Sequence, residues 1–232
     1  MHAPPAPRHP PRACCSRRAT HSVVVVDYGM GNLRSVAKAL EHAGDAEVGV
    51  RVSADPAVIG AADRVVVPGQ GAARDCIEAL HKGGLIDVIK ASLASRPFLG
   101  ICMGLQVLMQ ASDENDGVEC IGHYAGRARS FAGALGNDHT LKIPHMGWNN
   151  VHQERPHPLF AGIEDNARFY FVHSYFVEPG DPALSVASTE YGRRFSCALA
   201  SENVFACQFH PEKSAADGLL MLRNFLSWNG AC

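Results

Sequence analysis

Residues 97–104 read Pro97-Phe98-Leu99-Gly100-Ile101-Cys102-Met103-Gly104. An apolar run over 97–101 predicts a buried strand, and the two glycines around a cysteine predict a sharp turn into a helix. The form is G-x-C-x-G, a nucleophile elbow with Cys102 at its tip. Such a turn lifts the side chain out of the sheet, and glycines remove Cβ atoms where backbone and substrate approach. A helix predicted over 103–111 would aim its positive end at the sulfur, which favours thiolate. The backbone N–H of Met103 would face a developing oxyanion. Alone, the motif leaves open a buried structural cysteine, which is the commoner fate of a lone thiol.

Outward from this stretch, strands and helices alternate. Val23 to Val26 predicts a buried first strand that runs into Asp27-Tyr28-Gly29. Asn32 can cap a helix whose apolar positions Leu33, Val36, Ala37 and Leu40 recur with a 3.6 period, with Gly44 as its stop. Strands are expected over 47–52 and 64–67, helices over 72–81 and 85–95. Beyond the elbow, 169–177, 184–190, 196–200 and 203–209 read as closely spaced, partly antiparallel strands, and 215–227 as a closing helix with Leu219, Leu222, Phe225 and Leu226 inward. The pattern is an α/β fold: one domain over 22–232 with a mixed, mainly parallel central sheet flanked by helices.

The chain has 232 residues, 47% hydrophobic and 19% charged, enough apolar material for a core and too much for a disordered chain. No apolar run approaches the ~18 residues that a membrane span requires. Residues 1–22 hold four arginines, five prolines and no acidic residue. They lack the apolar core of a secretory signal and the helix of a transit peptide, so 1–21 is expected to be a disordered leader. Without those arginines, 17 basic side chains face 23 acidic ones, so the rest of the chain is −6 against −2 for the whole. That argues against nucleic-acid binding. The eight cysteines form no CxxC pair, and no His-x3-His element accompanies them. A reducing, cytoplasmic setting with mostly free thiols and no metal or cofactor is expected.

Gln208-Phe209-His210-Pro211-Glu212-Lys213 closes the last predicted strand. Residues i and i+2 of an extended chain share a side, so Glu212 can hold one nitrogen of His210 and leave the other for Cys102. Pro211 cannot donate to a ladder and ends the strand. Pro68-Gly69-Gln70-Gly71 follows a valine-rich strand, and its glycines let backbone amides turn toward the site as oxyanion donors. It lacks the Gly-Lys-Ser/Thr ending of a phosphate loop.

Together, Pro68 to Gly71, Gly100-Ile-Cys-Met-Gly-Leu-Gln106 and Phe209-His-Pro-Glu212 resemble the class I (triad) glutamine amidotransferases. Asp27-Tyr-Gly-Met-Gly-Asn-Leu-Arg-Ser35, Ile143-Pro-His-Met-Gly-Trp-Asn149, Phe169-Tyr-Phe-Val-His-Ser-Tyr175 and Lys213 resemble the branch of glutaminase subunits of imidazole glycerol phosphate synthases. The resemblance covers roughly 22–230. It implies a flavodoxin-like amidotransferase fold and glutamine hydrolysis by Cys102, His210 and Glu212. It further implies oxyanion donors at Met103, Gly69, Gln70 and Gly71, and glutamine held by Gly104, Gln106, His173, Ser174 and Tyr175. The implied partner is a separate (β/α)8-barrel cyclase subunit, in a heterodimer of histidine biosynthesis. Asn32, Arg34, Met146, Trp148 and Lys213 would face it. Competing readings are a glutaminase of another pathway, a catalytically silent thiol protein on the same fold, and a metal-binding protein.

Overall fold

The computed structural model describes residues 21–45, 47–135 and 141–231. The expected leader, with Cys14 and Cys15, lies outside the described residues except for His21, which is already the first residue of a strand. In chain order the elements are β1 (His21–Val26), α1 (Leu33–Ala43), β2 (Val48–Ser53), α2 (Pro56–Gly60), β3 (Arg64–Gly69), α3 (Ala73–Lys82), α4 (Ile86–Leu93), β4 (Phe98–Cys102) and α5 (Met103–Gln106). Then come β5 (Met109–Ser112), β6 (Val118–Glu119), β7 (Tyr124–Ser130), α6 (Phe131–Leu135), β8 (His145–Asn150), β9 (His152–Gln153) and β10 (Arg168–His173). The chain closes with β11 (Tyr175–Pro179), β12 (Ser185–Glu190), β13 (Arg194–Ser201), β14 (Val204–Cys207) and α7 (Ala215–Ser227).

One sheet runs in the order β2-β1-β3-β4-β14-β13-β11-β7-β5-β6, with β12 beside β13 and β9 beside β12. Its first five strands are parallel, and antiparallel pairing begins at β14 and β13. β8 and β10 form a separate antiparallel pair. Parallel strands need helices on both faces, and β1 shows it: Val23 and Val25 enter one core, Val24 and Val26 the other. α1 and α7 cover the first face, and Ile59, Ile77, Leu80, Ile89 and Leu93 bring α2, α3 and α4 onto the second. Asn32 caps α1, its side-chain oxygen accepting from Ser35 N at 3.3 Å.

Two expectations fail for identifiable reasons. The helix expected over 103–111 is a single turn, and the chain re-enters the sheet at Met109. Residues 102–109 are all buried, so no polar stripe exists on which a surface helix could turn. The strand expected over 169–177 is two strands in two sheets. Phe169, Phe171 and His173 point inward with period two; after Ser174 the inward residues are Phe176 and Val177, and the alternation is broken. Both features matter, because each break lies against the site. No helix among the described residues is long and apolar enough to cross a membrane.

Candidate active site

β4 lies inside the parallel run, between β3 and β14, and its carboxyl end opens at the edge of the sheet where α/β folds place their ligands. Cys102 ends β4 with φ 55° and ψ −105°, outside the regions open to most L-residues. Such a conformation holds strain of about 1–3 kcal/mol and survives because its surroundings impose it. The glycines are why. A Cβ on Gly104 would collide with the Val67 carbonyl, and one on Gly100 would stand 2.8 Å from the Gly104 oxygen. Strands β3 and β4 and the turn α5 close on one another only without those atoms.

From the other side, His210 meets Glu212 with Nδ1 to Oε1 at 2.8 Å, both side chains buried. The meeting is not the i, i+2 alignment of a strand. β14 stops at Cys207, and Pro211 to Lys213 form a 3₁₀ turn that His210 precedes. The missing N–H of Pro211 suits the first position of such a turn. Since Nδ1 donates to the carboxylate, Nε2 is the nitrogen through which His210 can exchange a proton. It is buried with no hydrogen-bond partner and lies beside the Cys102 sulfur. Burial opposes a positive charge on His210, but the Cys102 sulfur and the Glu212 carboxylate outweigh it and push the pKa up to about 9. The thiol also reaches the Val172 carbonyl, at 3.9 Å.

A cavity of about 270 Å³ opens over the sulfur, just below the ~300–1000 Å³ typical of ligand sites. Cys102, Met103, Gln106 and His210 line it, with Gln70 and Gly71 on one side and His173, Ser174 and Tyr175 on another. Gly69 and Gly104 are not on its wall: the first packs under Tyr28 and Met103, the second under Val67. Sequence reasoning missed the restraints on the 68–71 turn. Tyr28 Oη donates to the Pro68 carbonyl at 2.8 Å, and the Cys76 thiol reaches the Gln70 carbonyl at 3.7 Å. Glu114, from the loop after β5, is a cavity residue that no motif announced.

Beneath the cavity runs a chain of neutral side chains whose tautomers follow from one backbone oxygen. His173 Nδ1 donates to Tyr175 O at 2.8 Å, so His173 Nε2 must accept from His145 Nδ1, also at 2.8 Å. His145 Nε2 then accepts from Asn149 Nδ2 at 3.3 Å. Burial holds both histidines neutral, His145 down to about 4 and His173 down to about 3.

The residues expected at a partner surface divide. On β8, where His145 points in, Met146 and Trp148 are 64% and 44% exposed. Trp148 packs edge-on to Tyr170, and Lys213 Nζ sits 5.7 Å above the Tyr170 ring. Asn32 and Arg34 are exposed at the start of α1, which packs against the 211–213 turn. Among the described residues, no three His, Cys, Asp or Glu side chains are grouped to hold a metal ion.

The profile of the family "Glutamine amidotransferase class-I" matches residues 24–228. The chain is 54% identical to the imidazole glycerol phosphate synthase subunit HisH of Thiobacillus denitrificans over 210 residues, 89% of this chain and 91% of the relative. It is 53% identical to HisH 1 of Pseudomonas aeruginosa over 211 residues, 90% of this chain and 98% of the relative. Among solved structures, PurLQS of Thermotoga maritima superimposes with a TM-score of 0.64 at 20% identity, over 90% of this chain and 98% of that one, a likeness of fold.

Proposed function

Because the chain belongs to the class I glutamine amidotransferase family and, within it, to the HisH subunits of imidazole glycerol phosphate synthase, we propose that Cys102, His210 and Glu212 hydrolyse the glutamine side-chain amide and that the ammonia passes to a separate cyclase subunit. The observation that carries the catalytic assignment is the buried His210–Glu212 pair at 2.8 Å with His210 Nε2 left open beside the Cys102 sulfur.

His210 holds the Cys102 proton as an imidazolium, and the thiolate sulfur attacks the amide carbon of glutamine. The carbonyl oxygen becomes an oxyanion, with Met103 N–H and the 68–71 turn as its donors. As the C–N bond breaks, His210 gives its proton to the nitrogen and ammonia leaves a thioester. Water then attacks that carbon while His210 takes its proton. The C–S bond breaks, the thiol is restored and glutamate departs. Glu212 keeps Nδ1 protonated and balances the imidazolium. Gln106 suits the amino-acid end of glutamine, because its Oε1 is buried without a partner at the cavity and can accept an N–H.

Free ammonia in water is protonated and lost as a nucleophile, which favours delivery across an interface. We take the exposed β8 face, with Met146, Trp148, Lys213 and the start of α1, as that interface, and a (β/α)8 cyclase in the cytoplasm as the partner. Met and Trp are enriched at such surfaces. The cyclase uses ammonia to form imidazole glycerol phosphate and an aminoimidazole carboxamide ribonucleotide. The test is ammonia release from glutamine with and without the cyclase and its ligand. Release should rise with both present and vanish in Cys102→Ala. Hydrolysis by Cys102→Ala above about a hundredth of wild type removes Cys102 from the mechanism.

A further inference from the structure

Gln208 follows β14 directly, stands two residues before His210, and is completely buried. Its Nε2 lies 3.5 Å from the Cys102 sulfur. Its Oε1 lies 3.0 Å from Gln106 Nε2, which also reaches Tyr175 O at 3.2 Å. These contacts fix which end of the amide meets the sulfur. Tyr175 O can only accept, so Gln106 must present its NH₂ there and therefore to Gln208 as well. Gln208 must then answer Gln106 with its oxygen, and it has only its NH₂ left for Cys102. The same Tyr175 oxygen takes the His173 Nδ1–H at 2.8 Å, so it is held from two sides.

We propose that Gln208 is a positioning residue for the nucleophile: its Nε2–H holds the Cys102 sulfur and stabilises the thiolate over the thiol. The physical basis is an opposition across the sulfur. Val172 O, at 3.9 Å, can only accept, and so favours the S–H form. Gln208 can only donate, and a donor bonds a charged acceptor about twice as strongly as a neutral one. The titratable groups facing the sulfur are His210 with Glu212 behind it, Cys207 from β14, and Cys76 and Tyr28 from beyond the 68–71 turn, with Glu114, His173 and Tyr175 on the cavity wall. Gln208→Met removes none of these groups and adds none, so a change in thiol ionisation in that variant reports the amide.

The proposal rests on the glutaminase reading only in taking Cys102 as the nucleophile. Its test is alkylation of Cys102 by iodoacetamide across pH in the full chain, which needs no glutamine. Gln208→Met keeps the volume and removes the donor; Gln208→Glu keeps an acceptor for Gln106 and sets a carboxylate against the sulfur. Gln208→Met should move the acidic limb of the alkylation profile up by about one pH unit and slow alkylation near neutrality about tenfold. Gln208→Glu should move it further. The KM for glutamine should change little while kcat falls with the thiolate fraction. A Gln208→Met protein with native circular dichroism and the wild-type profile overturns the proposal. Should both variants fail to fold, the wild-type protein decides: the Gln208 side-chain amide proton must shift in NMR with the alkylation midpoint, and an amide blind to that midpoint refutes the donor role. Ammonia release fails separately if the glutaminase reading is wrong.

Discussion

Acidification from about pH 7.5 to about pH 5 should destabilise this fold through three histidines that burial keeps neutral. His145 and His157 are pushed down to about 4 and His173 to about 3. The unfolded chain protonates each near 6.5, so the unfolded state binds more protons throughout the interval. A histidine with a depressed folded pKa stabilises fully above 6.5 and loses that contribution as pH falls toward its folded value. At pH 5 each has lost about 2 kcal/mol, together about 6 kcal/mol. His210 works the other way. With its folded pKa up at about 9, its stabilisation is complete below 6.5 and fades as pH rises through about 9. Over the same interval it returns roughly 1 kcal/mol. His123, also lowered by burial, adds to the loss. The lowered carboxyls of Asp63, Glu154 and Asp165 titrate mostly below this interval. The net loss is on the order of 4 kcal/mol or more, against a total of ~5–15 kcal/mol for a domain. Urea unfolding at the two pH values measures it. His157 lies away from the cavity, between Phe205 and Trp228, and His157→Gln should reduce the pH dependence by about 2 kcal/mol, nearly half of the net. A difference below about 1 kcal/mol between the two pH values would refute the neutral, buried assignment.

Three further outcomes follow from the site. Cys102→Gly should be more stable than Cys102→Ala by about 1 kcal/mol in chemical denaturation, because glycine relaxes the φ of 55° that alanine keeps. Gly104→Ala should lower kcat at least a hundredfold and the melting temperature by several degrees, since its methyl meets the Val67 carbonyl. A near-native enzyme by kinetics and melting would show that the elbow can move. Trp148→Ala should weaken association with the proposed cyclase partner about tenfold or more by calorimetry while leaving the chain folded, as expected of an aromatic anchor on the proposed interface.

The parallel half of the sheet was readable because its signals are local. Four consecutive valines before a loop, a capped amphipathic helix and a cysteine between glycines each declare themselves within ten residues. The proximity of His210 and Glu212 was legible for the same reason, though the strand geometry expected for it was wrong: Pro211 turns the chain, and Glu212 meets His210 across a 3₁₀ turn. β7 and β8 were not anticipated. β8 carries the exposed Met146 and Trp148, and its inward face is set by pairing with β10, remote in sequence. Tyr28, Cys76 and Gln208 were missed as site residues because their roles are contacts at separations of 40, 6 and 106 residues, which no periodicity encodes.

His173 and His210 show how little burial alone decides. They line one cavity and are 5% and 4% exposed, yet their pKa values move in opposite directions. Desolvation disfavours the charge on both. The difference lies in the atom that takes Nδ1–H. For His173 it is the Tyr175 carbonyl, a dipole too weak to offset burial, and Nε2 is already occupied by His145. For His210 it is the Glu212 carboxylate, a full charge, and Nε2 is open toward a sulfur that can become negative. A base must gain a proton at Nε2 and lose it again within one turnover. Only His210 has both the counter-charge and the vacant nitrogen. His173, with neither, can hold the backbone of 173–175 in place without competing for the proton of the proposed nucleophile Cys102.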